Sequence, residues 1–344
     1  MRYRDAGVDI GRAAGAKEQL GRVVRSTWHA GVTPLVGGFA AVVRFGGATG
    51  GADQHPLLAA TLDGVGTKLH LALAAGRVGD AAADLVYHGA DDLLVHGASP
   101  LAFLDYVAQS RLDPAVVLEV VAGLARACRD VGAVLLGGET AEMPDTYQPG
   151  VVDVAGCMLG TVAEGRLLDG SAVRPGDAVL GLASSGLHTN GYSLARSILA
   201  HAGRSLGEVL PGGAGETLGE ALLAPHRWYG PALGPVLEQG RVHALAHVTG
   251  GGIAGNLRRV LPEGCRARLD PAAWERPALF RWLIEAGSVP EDDARAAFNL
   301  GVGMVVVCAP EEAGPLRRTL ESGGERVWVL GAVVHGERAV EWVG

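Results

Sequence analysis

Leu62-Asp63-Gly64-Val65-Gly66-Thr67-Lys68 is the stretch on which the reading of this chain turns. The run leading into it, Pro56-Leu57-Leu58-Ala59-Ala60-Thr61-Leu62, has the length and apolar content of a short buried strand bounded by turn residues. The strand ends on a carboxylate, crosses two glycines and finishes on a hydroxyl and an ammonium. Those groups suit a phosphate and its metal. Asp63 can hold a hard cation through oxygen, the backbone from Gly64 through Val65 to Gly66 can approach closely, and Thr67 and Lys68 add a hydroxyl and a compact positive charge. Lys68 is one of two lysines, with Lys17, among 29 basic residues. A chain that writes its cations as arginine yet keeps a lysine in a Gly-Thr turn points to a wanted point charge. A solvated surface lysine after a hairpin turn is the plain alternative.

Working outward, 344 residues favour two domains, each able to bury its own core. Hydrophobic residues at 48% and charged residues at 19% describe a globular chain rather than a disordered one. The net charge of −8 and the lack of a basic tract argue against binding long nucleic acids. No apolar run reaches the roughly 18 residues of a membrane span, and the first residues lack a signal-peptide core. The cysteines, Cys128, Cys157, Cys265 and Cys308, are widely spaced and read as idle thiols of a reducing cytoplasm.

Asp5-Ala6-Gly7-Val8-Asp9 opens the chain, followed by a helix near 13–27, a loop with Gly37-Gly38 and a strand over 40–45. A helix is expected over about 82–97. In it Asp84, His88 and Asp92 recur every fourth residue and share a face, with Asp91 adjacent, while Leu85, Val86, Leu93 and Leu94 cover the rest. That acidic row is either a solvated stripe or a metal-facing one. A strand over 102–108, a helix over 114–131 and a strand over 133–136 follow. The last runs into Gly137-Gly138-Glu139, so strand, glycine and acid occur in sequence twice, at Asp63 and at Glu139. Converging with Asp92, those two would make an all-oxygen cage suited to Mg²⁺.

After a strand over 152–163, the polar segment 169–176 reads as a hinge. A strand over 178–183 then leads through Ser184-Ser185-Gly186-Leu187-His188-Thr189-Asn190-Gly191 into a helix over 192–201. A hydroxyl- and glycine-rich loop entering a helix N-terminus is a natural anion site. There His188 either donates to a phosphate, acts as acid or base, or simply shapes the loop. His247-Val248-Thr249-Gly250-Gly251-Gly252 repeats the device, and Phe298-Asn299-Leu300-Gly301-Val302-Gly303-Met304 is a third glycine-flanked passage, entering a strand over 305–308. Arg258-Arg259 and Arg317-Arg318 read as solvated helix faces.

With these segments in view, the chain resembles the phosphoribosylformylglycinamidine cyclo-ligases, or aminoimidazole ribonucleotide synthetases, over nearly its whole length. The resemblance is carried by Asp5 to Ile10, Asp63 to Lys68, Asp92-Leu93 with Gly97-Ala98, Phe103 to Tyr106, Gly137 to Pro144 and Asp153 to Gly156. It continues through Ser184 to Gly186, His188 to Ser193, Leu223 to Pro225, His247 to Gly252 and Phe298 to Met304. Asp91 stands where this family commonly has Asn.

The resemblance implies an α/β (α+β) subunit of two domains. Residues 1–168 would bind ATP and pair across a homodimer into a barrel-like sheet, and residues 169–344 would form an α/β substrate domain. It implies ATP-dependent cyclisation of formylglycinamidine ribonucleotide to 5-aminoimidazole ribonucleotide in the cytoplasm, by phosphorylation of the formyl amide oxygen. Under it, Asp63, Asp92 and Glu139 hold Mg²⁺, with Asp105 in reserve, and Asp63 to Lys68 hold ATP. His188 and Asn190 orient substrate or move a proton. Ser184, Ser185, Gly186, His188 and Asn190, with His247, Thr249, Gly250 and Gly251, take the ribose phosphate. The rivals are another ATP-using member of the superfamily, such as a selenophosphate synthetase or a small-molecule kinase, and a non-catalytic nucleotide-binding regulator.

Overall fold

The computed structural model describes residues 1–6, 23–28, 31–33, 38–44 and 56–343. Residues 7–10 of the opening motif, most of the helix expected near 13–27 and Gly37 lie outside the described residues. No described helix is long and apolar enough to cross a membrane.

The first half builds a six-stranded sheet from β1 (Val32–Thr33), β2 (Ala41–Arg44), β3 (Leu57–Gly64), β4 (Ser99–Gln109), β5 (Val134–Glu142) and β6 (Val152–Val162). Their order is β1-β2-β3-β6-β4-β5, antiparallel except for the parallel β4–β5 pair. Burial along β6 alternates strictly, so Val152, Val154, Gly156, Met158, Gly160 and Val162 line one face. That face is covered by the helices α2 (Val78–Leu94) and α3 (Pro114–Val131), which follow the short α1 (Lys68–Ala74). The other face is open: Leu62 is 74% and Val134 59% exposed.

Helix α3 has the bounds its sequence predicts, for reasons visible at both ends. Asp113 caps it by accepting from Ala115 N–H at 2.9 Å, Pro114 fills the first turn, and Gly132 closes it at φ 75°. Its middle needs a glycine, because a methyl at Gly123 would stand 1.9 Å from the Gly79 carbonyl oxygen of α2. Helix α2 begins four residues earlier than expected, and its acidic row is not a solvated stripe: Asp84, His88, Asp91 and Asp92 are all buried.

Strand β5 differs from expectation. It does not stop before the glycines but runs through Gly137-Gly138 to Glu142 beside β4. Gly138 is required there, since a Cβ would come within 2.3 Å of the Asp105 carbonyl. Glu139 therefore lies inside an edge strand rather than in a turn like that after Asp63.

The second half forms another six-stranded sheet, from β7 (Ala178–Ala183), β8 (Ala244–His247), β9 (Cys265–Leu269), β10 (Val302–Cys308), β11 (Val327–His335) and β12 (Ala339–Trp342). The order is β12-β9-β11-β7-β10-β8, and every residue of β10 is buried. Its helices include α4 (Tyr192–His201), α5 (Leu218–Leu222), α6 (Gly230–Glu238) and α7 (Gly252–Val260). Strand β7 and helix α4 keep their predicted bounds. The segment 169–176 is pinned rather than loose: Asp177 accepts from Arg174 N–H, and Gly176 N–H donates to the Val333 carbonyl. Arg259 is also not a solvated residue; its guanidinium stacks 3.7 Å over the Phe39 ring and donates to the Gly38 carbonyl.

The α2–α3 contact yields a stability test. Gly123→Val should force the helices apart and cost about 1–3 kcal/mol, read as a lower urea midpoint; an unchanged midpoint would show that the close approach is unnecessary.

Candidate functional site

The turn after β3 is made by Gly66 at φ 69°, which leads the chain into α1. Lys68, the first residue of that helix, then points inward and is 1% exposed. Its ammonium pairs with the Asp84 carboxylate and donates to the carbonyls of His188 at 3.0 Å and Ala224 at 3.2 Å. Burial pushes the Lys68 pKa down, but the Asp84 carboxylate more than offsets it, leaving the pKa above that of an ordinary lysine. All three donors are used by protein acceptors. The point charge for which a phosphate contact is expected here joins α1, α2 and two loops of the second half.

Asp63 stands at the end of β3, on the face toward α2, with its side chain 49% exposed. One oxygen accepts from Gly64 N–H at 2.7 Å and the other lies 3.0 Å from His88 Nε2. Burial alone would raise its pKa; the imidazole and the N–H outweigh it and hold the carboxyl below the ordinary range. Asp92 is brought in by α2. It accepts from the Thr61 hydroxyl at 3.2 Å, lies 2.9 Å from His247 Nδ1, and its Oδ2 is 3.7 Å from His88 Nε2. Asp63 and Asp92 thus converge on one imidazole.

Glu139 does not join them. Cross-strand register places Asp63, Gly156, Asp105 and Gly138 in one row, and Gly64, Ala155, Tyr106 and Glu139 in the next. Neighbouring rows point to opposite faces, so Asp105 shares a face with Asp63 while Glu139 faces away. Among the described residues, the three-ligand group close enough to hold one ion is His88, His226 and His247, not the three acids.

The loops of the second half meet at one end of its sheet, because β7 and β8 both flank β10. Asn299 ties them: it donates to the Gly186 carbonyl at 2.8 Å and accepts from the Ser184 hydroxyl at 3.1 Å. The Ser185 hydroxyl donates to the Pro225 carbonyl. Gly191 at φ 83° and Gly251 at φ 98° precede α4 and α7 with no side-chain cap, leaving first-turn N–H groups without a side-chain acceptor. The two loops are neighbours, since a methyl at Gly250 would lie 3.7 Å from Asn190 Nδ2. Thr249 is held by its hydroxyl to Asn256 Oδ1 at 3.1 Å.

His188 is buried at φ 61°, stacked 4.1 Å from His226, and its Nε2 accepts from Ser185 N–H at 3.3 Å. Burial, with His247 and Lys68 nearby, drives its pKa well below the ordinary histidine value. Its backbone carbonyl accepts from Lys68, which fixes the shape of the loop. His226 was not singled out by sequence reasoning. Its Nε2 lies 3.2 Å from His247 Nε2 and 3.3 Å from Asp91 Oδ2, while its N–H donates to Asp84 at 2.7 Å. Burial raises Asp91 well above the carboxylate range. The one signal for this cluster was the four-residue spacing of Asp84, His88 and Asp92 on an apolar helix.

The two sheets, joined through this buried cluster, define a two-domain α/β protein of the AIR synthase related class. The family model for the N-terminal domain of that class matches residues 37–162, and the one for the C-terminal domain matches residues 174–344. Among solved structures, one from Thermus thermophilus is 23% identical with a TM-score of 0.64, covering 92% of this chain and 93% of its own. AaThiL complexed with AMPPCP and TMP is 15% identical with a TM-score of 0.62, covering 99% and 95%. Both share the fold. A phosphoribosylformylglycinamidine cyclo-ligase from Xanthomonas oryzae is 43% identical over 344 residues, 99% of each chain. Another from Sorangium cellulosum is 45% identical over 337 residues, 96% of this chain and 95% of its own. The chain belongs to the phosphoribosylformylglycinamidine cyclo-ligase family and is a ligase of purine biosynthesis.

The cluster has a pH signature. His188, His226 and His247 have folded pKa values below the ordinary 6.5, so between pH 6.5 and those values the unfolded chain holds more protons and stability falls on acidification. His88, raised by Asp92 and Asp63 against its burial, acts oppositely, as do Asp84 and Asp91, both raised by burial. The difference between variants in urea unfolding is therefore what tests the cluster. From pH 7.5 to pH 5.5, His188→Asn, which tolerates the same backbone, should gain stability relative to the wild type by up to about 1.4 kcal/mol per pH unit; an identical pH dependence in the variant would contradict a neutral His188.

Proposed function

We propose that ring closure takes place where Asp63 and Asp92 face the loops 184–191 and 247–252. One observation carries this reading: Asp63, His88 and Thr189 form one hydrogen-bonded path, and Asp92 and His247 form another, each running from a carboxylate to a glycine loop. The phosphate-handling side and the substrate side are thereby held in fixed relation.

The substrate is formylglycinamidine ribonucleotide and the phosphoryl donor is ATP. The formyl amide oxygen attacks the γ-phosphorus, an O–P bond forms and ADP leaves. The amidine nitrogen then attacks the formyl carbon, the C–O bond breaks, phosphate departs with the oxygen, and a proton is lost as the ring becomes aromatic. Positioning and charge neutralisation do most of this work. ATP would lie along the turn Asp63 to Thr67, whose glycines admit close approach.

The two carboxylates fit Mg²⁺, which takes one or two acids plus phosphate oxygens and water, and they converge here on His88 Nε2 at 3.0 and 3.7 Å. Asp63 and Asp92 would hold the ion, which supplies neutralisation of phosphate charge when bound. Lys68 positions the turn and the His188 loop from behind. The uncapped helix starts after Gly191 and Gly251 would receive the ribose phosphate, with Ser184, Ser185 and Thr249 lining the loops and Asn190 at their junction.

The division at residues 168 and 169 assigns ATP and dimer contacts to the first sheet and substrate to the second. The exposed Leu62 and Val134 on its open face, with Leu136 (64% exposed) on edge strand β5, favour a homodimer. Glu139 would then belong to the partner-facing side rather than to its own chain's acids. The likeness to purine-biosynthesis ligases favours a cytoplasmic enzyme.

ADP release with formylglycinamidine ribonucleotide, selenide plus water or thiamine monophosphate as acceptor tests the substrate. Turnover should occur with the first alone; turnover with another acceptor, or none with any, would overturn the reading. Asp63→Asn should lower kcat/KM at least tenfold, about 1.4 kcal/mol, and weaken the Mg²⁺ dependence. Asn190→Ala should raise KM for the ribonucleotide with little change for ATP. A wild-type Mg²⁺ titration in Asp63→Asn would remove that carboxylate from the metal site.

A further inference from the structure

Three imidazoles meet at the seam between the two halves of the chain. His88 comes from α2, His226 from the loop after Pro225, and His247 from the end of β8. One nitrogen of each lies within 4.8 Å of the others, and the rings are 3%, 3% and 0% exposed. We infer that they form a zinc site that staples the two domains together, with Asp63 Oδ2 as the fourth ligand and Asp63 Oδ1, beside Gly64 N–H, left for the ion of the reaction.

The distances already resemble a coordination sphere. Tetrahedral Zn²⁺ with bonds of about 2.0–2.1 Å keeps neighbouring ligand atoms roughly 3.3 Å apart. His226 Nε2 and His247 Nε2 are separated by 3.2 Å, and His88 Nε2 and Asp63 Oδ2 by 3.0 Å. With zinc bound these two contacts would become opposite edges of one tetrahedron, and one nitrogen of each of the three rings already lies within 4.8 Å of the others. The far sides of two rings are held as metal-bound imidazoles usually are: His247 Nδ1 is 2.9 Å from Asp92 Oδ1, and His88 Nδ1 is 2.6 Å from Thr189 Oγ1. With zinc bound, those oxygens would take the Nδ1–H of each ring and leave the Nε2 lone pairs to the metal.

Charge points the same way. Asp91 Oδ2 is buried without a hydrogen-bond partner, 3.3 Å from His226 Nε2. Asp63 and Asp92 bring two carboxylates to the cluster, and a dication would compensate them. Three imidazoles with one carboxylate suit Zn²⁺, whereas Mg²⁺ takes oxygen ligands. The half-exposed Asp63 side chain marks the way in. Because His88 belongs to the first domain and His226 and His247 to the second, bound zinc fixes their relative placement. The site shares Asp63 with the reaction but does not rest on the reading of that reaction.

Metal-free full-length protein titrated with Co²⁺, then with Zn²⁺, tests the site without any assay of activity. Co²⁺ should bind at about one equivalent per chain with the intense visible bands of tetrahedral coordination, and Zn²⁺ but not a large excess of Mg²⁺ should displace it. Zn²⁺ should raise the melting temperature, as a ligand of the folded state does. His226→Gln and His88→Gln should each weaken binding at least about tenfold, and either variant that folds suffices for the comparison. Weak octahedral-type bands, no binding, or unchanged affinity in the folded variants would overturn the assignment.

Discussion

The molecule is organised around a buried ammonium. Lys68 sits where β3 gives way to α1, pairs with Asp84 on α2, and holds the carbonyls of His188 and Ala224 in the second half of the chain. A charge at 1% exposure persists only when it is paired and fully hydrogen-bonded. The requirement works in both directions, since Asp84 in turn accepts from Lys68 and from His226 N–H. Four segments distant in sequence are thereby tied to one point, and the loops beside them inherit their positions.

That tie explains why polar groups cluster at the seam rather than at the surface. Helix α2 must be apolar toward the first sheet, where Gly89 lets it sit against Met158, yet it presents Asp84, Asp91 and Asp92 to the second half. Asp84 and Asp91 accept from the backbone N–H groups of residues 226 and 229 and Asp92 lies against His247, with Asp91 Oδ2 left without a partner. The seam is thus specific: only the correct placement of the loop after Pro225 supplies the donors. The chemistry proposed at Asp63 and Asp92 would take place in a setting whose hydrogen bonds are already formed.

Much of this was readable from residues. Helix 114–131 is announced by Asp113-Pro114 at one end and Gly132 at the other, and strand 178–183 by an unbroken apolar run. Loops at 184–191 and 247–252 are marked by glycine and hydroxyl residues before helices, while their meeting at one end of a sheet is set by the pairing of β7 and β8 with β10. What could not be read is long-range. Glu139 resembles Asp63 in local sequence, but a pairing with β4 extends β5 and turns the acid to the other face. Lys68 has the neighbours of a phosphate ligand, yet its partner is an aspartate sixteen residues on, and helical spacing alone does not say which face is buried. His226 has no local pattern at all; its meaning comes from the rings that tertiary packing places around it.

Urea unfolding of the wild type, Lys68→Met, Asp84→Leu and the double variant measures the central interaction directly. Each single change strands a buried charge and should cost about 3–5 kcal/mol. The double should be far less damaged than the sum, giving a coupling above about 2 kcal/mol. Single costs that add to within about 0.5 kcal/mol would mean that the two side chains act independently, and that the seam is held by something else.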